Sequence, residues 1–150
     1  MENIDTAHIA LLIIDVDKFK AVNDTYGHDV GDKVLIRVSE LLTANFRSVD
    51  IICRFGGDEF IVIMTRVSPD MASLVRNKIE HMNVLLQNPT DGLPETSLSV
   101  GVVFSESEQS AGNLFKEADT ALYSVKNSPR HGRGCAVYGD PDNEFPIKYN

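Results

Sequence analysis

The sequence is short of cysteine, of cations and of long apolar runs, and each shortage removes a class of protein. Its 150 residues include two cysteines, Cys53 and Cys135. Two isolated cysteines make neither a zinc-ligand pattern nor a disulfide framework. Both read as reduced thiols of a cytoplasmic protein. No apolar run reaches the ~20 residues of a membrane-spanning helix. The opening MENIDTAH is acidic and polar, unlike a secretory signal. The chain is therefore expected to be soluble, with no membrane partner. Lysine and arginine number 14 against 22 aspartates and glutamates, a formal net charge of −8. A nonspecific nucleic-acid binder carries a basic face, so nucleic acid is not an expected partner. A polyanionic substrate would have to be met by a local cation or a metal. No internal repeat or low-complexity segment is present.

What remains is the pattern of one domain. A chain of this length buries roughly 70% of its unfolded surface and needs no metal or disulfide to hold a core. HIALLIID, ending at Asp15, reads as a strand buried on both faces. A short helix and a turn at Tyr26-Gly27-His28 follow. Val30, Val34, Leu35, Val38, Leu41 and Leu42 then show the three-and-four spacing of an amphipathic helix running to about Phe46. DIICRF and EFIVIM, separated by Gly56-Gly57, predict a β-hairpin. Ser68 and Pro69 predict the start of a helix with Met71, Leu74, Val75, Met82, Leu85 and Leu86 inward. TSLSVGVVF reads as a strand. SAGNLFKEADTALYSVK reads as a helix with Leu114, Phe115, Ala118, Ala121, Leu122 and Val125 inward. GCAVY is a last strand, and residues 139–150 read as a polar tail. The order β-α-α-β-β-α-β-α-β contains a hairpin, which argues against a doubly wound parallel sheet. An α+β fold is expected, with a mixed or antiparallel sheet of about five strands flanked by helices.

Three groups of residues carry candidate chemistry. Asp15 and Asp17 follow a buried strand, while Asp58 and Glu59 sit in the hairpin. Carboxylates brought together at strand ends repel unless a cation lies between them. Oxygen ligands select a hard metal, Mg²⁺ where phosphates complete the shell. Taken singly, each motif is equally a helix cap or a turn acid. Gly56 and Gly57 supply either positive φ for a hairpin or room for a nucleotide to approach the backbone. The helix beginning at Asp17-Lys18-Phe19 offers unpaired N–H groups to phosphate oxygens. Asn23 and Asp32 either read a purine edge, an aspartate suiting the donors of guanine, or punctuate the turns at Gly27 and Gly31.

Together, DVDKFKAVNDTYGHDVGD and RFGGDEF resemble the GGDEF domain of bacterial diguanylate cyclases, and ADTALYSVK fits the same family. The resemblance covers about residues 8–138 as a single catalytic core. It implies a palm-like nucleotidyl cyclase fold and condensation of two GTP into cyclic di-GMP with loss of two pyrophosphates. It implies Asp15, Asp58 and the Val16 carbonyl as Mg²⁺ ligands, with Mn²⁺ as an alternative ion. Asn23 and Asp32 become guanine readers, with Lys18, Phe19, Gly56 and Gly57 against the nucleotide. Glu59 is implied as a ligand of a second metal or an aid to deprotonating the 3′-hydroxyl. One domain would hold one GTP, so catalysis would need a two-fold homodimer. Arg47 and Asp50, in RSVD, match the family's inhibitory site for cyclic di-GMP, with Lys78 as a weaker contact. Read alone, that Arg and Asp are ordinary solvated charges.

The sequence departs from the family pattern twice. The helix that usually precedes the first strand is missing, so a piece of a longer protein, tethered to a membrane through other domains, is an expectation. The Lys-x-x-Gly-Arg-Asn segment is altered: Lys126 fits, but Pro129 and His131 replace the glycine and asparagine. Arg130 on spacing, or Arg133 if residues are inserted, is the expected triphosphate contact. Two other readings stand beside the cyclase: a receptor that binds cyclic di-GMP or GTP without turnover, and a purely structural signalling partner. The acids at 58 and 59 favour the enzyme.

Overall fold

The computed structural model describes residues 7–149. Five strands form one sheet: β1 (Ile9–Val16), β2 (Ile51–Arg54), β3 (Glu59–Thr65), β4 (Leu98–Ser105) and β5 (Gly134–Val137). Four helices accompany them: α1 (Phe19–Tyr26), α2 (His28–Asn45), α3 (Ala72–Gln87) and α4 (Ala111–Lys126). The spatial order is β2-β3-β1-β4-β5. β1 pairs antiparallel with both β3 and β4, whereas β5 runs parallel to β4, so the sheet is mixed. The expected α+β architecture and element order are present.

The centre of the sheet explains the opening apolar run. All eight residues of β1 are buried. Side chains alternate along a strand. Ala10, Leu12, Ile14 and Val16 accordingly enter the larger core with α2 and α3. Ile9, Leu11 and Ile13 face the other way, against Leu114, Ala118 and Leu122 of α4. Asp15 continues this second row, so it emerges on the α4 side. Asn83, buried on α3, accepts from the Leu98 N–H at 2.7 Å and donates to the Leu98 carbonyl at 3.1 Å. That pair seats α3 on the start of β4.

Several local expectations need correction. The helix-start pattern at Ser68-Pro69 forms a short 3₁₀ turn (Pro69–Met71) before α3, and Ser68 bonds Asp70 rather than the helix backbone. Leu74 is 47% exposed, while Ile79, absent from the expected inner face, is fully in the core. The buried face runs through Ala72, Val75, Ile79, Met82 and Leu86, so Val75, Met82 and Leu86 lie where expected, and Leu74, one position from Val75, turns about 100° away from that face. Residues 139–149 are polar in composition but do not hang free. Ile147 is buried with Ala121, Val125 and Ala136, and Tyr149 packs edge-on against Tyr138. Arg76 bridges Asp140 and Asn143, tying this segment to α3.

Candidate active site

β1 and β3 end side by side, with Asp15 directly opposite Glu59 in the ladder. The Val16 N–H donates to the Asp58 carbonyl at 3.0 Å. The acids from the two motifs therefore meet at one sheet end. Asp15 is buried, its Oδ1 has no hydrogen-bond partner, and its Oδ2 accepts from Lys126 at the end of α4. Burial pushes the Asp15 carboxyl up to about 6, from 3.8. Lys126 pulls it down, whereas the Asp58 and Glu59 charges push it further up. Burial acts against the Lys126 ammonium, yet the hydrogen bond and charge of Asp15 raise its pKa overall. An orphaned buried carboxylate oxygen beside two more acids is chemically suited to a cation. Among the described residues no three His, Cys, Asp or Glu side chains form a complete cage. Asp15, Asp58 and a backbone carbonyl nevertheless fit a hard ion whose remaining ligands are phosphate oxygens and water.

The hairpin turn bears on the structural reading of its glycines. Neither Gly56 nor Gly57 has the positive φ first invoked for it. A methyl group would meet nothing within 4 Å at Gly57, and only Glu59 at 3.8 Å at Gly56. The turn is held instead by other bonds. Phe55 donates to the Glu59 carbonyl at 2.8 Å. Arg54 donates to the carbonyls of Gly56 at 3.2 Å and Gly57 at 2.8 Å. The backbone does not need the positive φ of glycine here, and the face above Gly57 is open. The role of Arg54 was missed, although it stands inside the motif.

Asn23 and Asp32 lie on either side of the α1–α2 junction. Gly27, with φ 91°, makes that junction. Asn23 Oδ1 is buried and unpartnered against Gly31, where a methyl group would collide with it. Gly31 is therefore the space that Asn23 occupies. Asp32 lines a cleft of about 480 Å³ with Ile52, Cys53, Arg54 and Phe60. Lys18, left-handed at φ 56°, turns the chain into α1 at Phe19.

A sequence model of the family described as "Diguanylate cyclase, GGDEF domain" matches residues 1–132. The chain belongs to the GGDEF family. It is 39% identical over 127 residues to diguanylate cyclase DosC of Escherichia coli K12, covering 82% of this chain and 27% of that protein. The chain thus spans about a quarter of that curated relative. The GGDEF domain of DgcB from Caulobacter crescentus, solved in complex with c-di-GMP, matches with TM-score 0.75 and 29% identity, over 88% of this chain and 78% of that one. The active GGEEF domain of a diguanylate cyclase from Vibrio cholerae matches with TM-score 0.74 and 26% identity, over 88% and 83%.

Elsewhere in this GGDEF domain, Arg47 and Asp50 meet just past the end of α2, and Lys78 of α3 reaches the last carbonyl of that helix. Asp50 is buried, so the pair is not the solvated one that its spacing suggested. Arg47 forks onto it with Nη2 at 2.7 Å and Nε at 3.1 Å, and also donates to the Thr65 carbonyl at 2.8 Å. Lys78 donates to the Asn45 carbonyl and lies 5.7 Å over the Phe46 ring. In this state Asp50 is filled by Arg47 and offers little to a guanine.

The altered segment after α4 separates its two arginines. Arg130 makes a two-point ion pair with Glu144, at 2.8 and 3.1 Å, and lies 5.4 Å over Phe145. Arg133 is fixed by its backbone to Asp17. Both line one cleft of about 600 Å³ with Lys18, His131 and Glu95. Among the described residues, no helix is long and apolar enough to cross a membrane.

Proposed function

We propose that this GGDEF domain condenses two GTP into cyclic di-GMP and two pyrophosphates, one GTP held by each protomer of a two-fold homodimer. The observation that carries this is the buried, unpartnered Asp15 oxygen at the sheet end shared with Asp58 and Glu59. Asp15, Asp58 and the Val16 carbonyl would hold Mg²⁺ or Mn²⁺. When bound, the ion offsets phosphate charge and stabilises the departing pyrophosphate. Asn23 and Asp32 hold the guanine. Lys18, Phe19 and the N–H groups opening α1 face the phosphates, with Lys126, Arg130 and Arg133 as the nearby cations. The 3′-oxygen of one GTP forms a bond to the α-phosphorus of the other. The α–β bridging P–O bond breaks, pyrophosphate leaves, and the 3′-proton passes to Asp58 or Glu59. The same chemistry then closes the ring.

The test incubates the protein with GTP and Mg²⁺ and separates the products by chromatography at low and high protein concentration. Cyclic di-GMP is expected, with a rate per protomer that rises with concentration. No product at any concentration would sink the reading.

Gly57→Ala provides a sharper check. It adds a methyl group in open space at a negative φ, so thermal stability should not fall. The methyl group narrows the approach of the nucleotide, and GTP turnover should drop by about 10-fold or more. Unchanged turnover would return the glycines to a turn role.

We further propose that Arg47, Asp50 and Lys78 form a site at which cyclic di-GMP inhibits the domain. Binding there requires the Arg47 fork to move from Asp50 to the ligand, freeing Asp50 for guanine donors. Arg47→Ala should weaken cyclic di-GMP binding by roughly 10-fold or more in calorimetry. Equal binding by parent and variant rules this site out.

A further inference from the structure

Asp17 is a buried carboxylate that the proposed chemistry does not use. It is 9% exposed and accepts from three donors. Ser97 Oγ reaches its Oδ2 at 2.7 Å, Ser99 Oγ its Oδ1 at 2.5 Å, and the Arg133 N–H its Oδ2 at 2.9 Å. The Asp17 N–H donates in turn to the Ser97 carbonyl at 2.9 Å. These bonds join the end of β1, the start of β4 and the segment entering β5.

That segment is strained. His131, Gly132, Arg133 and Gly134 all have positive φ, at 56°, 128°, 55° and 143°. Two of the four are not glycine, and left-handed φ in such residues persists only where surroundings over-determine it. Gly134 is held by its pairing with Ser99 in the β4–β5 ladder. His131 N–H donates to the Ser128 carbonyl at 2.8 Å, and Arg133 N–H is shared between Asp17 and Ser99 Oγ. Gly132 packs so closely that a methyl group would lie 2.7 Å from Asp17 Oδ1. The same segment presents Arg130, His131 and Arg133 to the cleft that Lys18 lines.

We infer that Asp17 is a positioning residue for the triphosphate. Its carboxylate pins residues 131–134 in their left-handed run and so aims Arg133 at the β- and γ-phosphates. Asp17 lines the same cleft, but its carboxylate is filled by Ser97, Ser99 and the Arg133 N–H, so it acts through the Arg133 backbone. The inference rests on the cyclase reading and deepens it, assigning phosphate recognition to a loop whose sequence departs from the family pattern. It also explains how His131 is held in a conformation that asparagine would adopt more readily.

The experiment compares two ligands by calorimetry in the presence of Mg²⁺. One is a GTP analogue with a methylene α–β bridge, which does not react. The other is GMP, which lacks the β- and γ-phosphates. Asp17→Asn is expected to weaken the triphosphate by about 30-fold while leaving GMP affinity within twofold. Gly132→Ala, which pushes on the same carboxylate from the loop side, should show the same selective loss if Asp17→Asn folds poorly. A parallel loss of both ligands in both variants would make Asp17 merely structural. Unchanged triphosphate affinity would equally overturn the inference. A parent protein that binds the analogue no better than GMP would instead overturn the reading of the site, and this inference with it.

Discussion

Asp15→Asn should lose more than ~100-fold of the cyclase rate and keep its fold. Removing even an outer partner of a metal ligand costs 10–100-fold, and Asp15 is proposed as a direct ligand. The amide keeps the size of the carboxylate, so the packing beneath Ile13 and beside β4 is undisturbed. Its neutral oxygen cannot balance a dication among phosphates, and its NH₂ group points a donor where an acceptor is needed. Stability should move the other way or not at all. Burial already disfavours the charged carboxylate and pushes its pKa up to about 6. Asparagine removes that desolvation cost. Lys126, 44% exposed along its side chain, keeps access to water when its partner's charge is gone. A Tm within a few degrees of the parent, with lost turnover that excess Mg²⁺ does not restore, is the expected pair of results. A variant that retains a tenth or more of parental activity would falsify the assignment of Asp15.

How much of this was legible follows from the range of the interactions. β1 was readable because burial on both faces leaves an unbroken apolar run. α2 and α4 were readable because each buries one face, and the period survives in Val34, Leu35, Val38, Leu41 and in Leu114, Ala118, Leu122, Val125. On α3 the adjacent apolar pair Leu74-Val75 hid which of the two faces inward, and the buried line through Val75, Ile79, Met82 and Leu86 selects Val75. The pairing of Asp15 with the hairpin acids was expected from the motifs, and the ladder places Asp15 against Glu59. The hub at Asp17 was not expected. Its partners Ser97, Ser99 and Arg133 lie far along the chain, and serines at the start of a strand carry no signal of what they will meet. The strap from 139 to 149 was hidden for a similar reason. A lone Ile147 in a polar stretch shows no period, yet it completes the small core beneath α4. The positive φ assumed at Gly56-Gly57 failed because φ belongs to the turn, and Arg54 supplies a different way of holding it.

Gly101 is where one added methyl group should do most harm to the fold. It lies on β4 opposite Ile13, on the face covered by α4. A Cβ there would collide with the Ala118 carbonyl and the Leu122 N–H, both backbone of α4. A side chain can rotate away from such a clash, but a helix backbone must move as a body. Overpacking a dense core costs about 1–3 kcal/mol and occasionally more, and backbone contacts place Gly101→Ala at the upper end. For a domain of this size about 3 kcal/mol corresponds to a Tm fall of roughly 6–12 °C. Propensity alone argues the opposite sign, because glycine inside a strand is itself unfavourable. Gly112→Ala is the control. It sits in the first turn of the same helix with nothing within 4 Å of the new carbon, and should raise Tm slightly because alanine favours helix. The damage at Gly101 should also reach the site. Moving α4 off the sheet displaces Lys126 at its end from Asp15, so turnover should fall at temperatures where the variant is still fully folded. If Gly101→Ala matches Gly112→Ala in Tm and turnover, α4 is not seated by that glycine, and the position of Lys126 must be set from elsewhere.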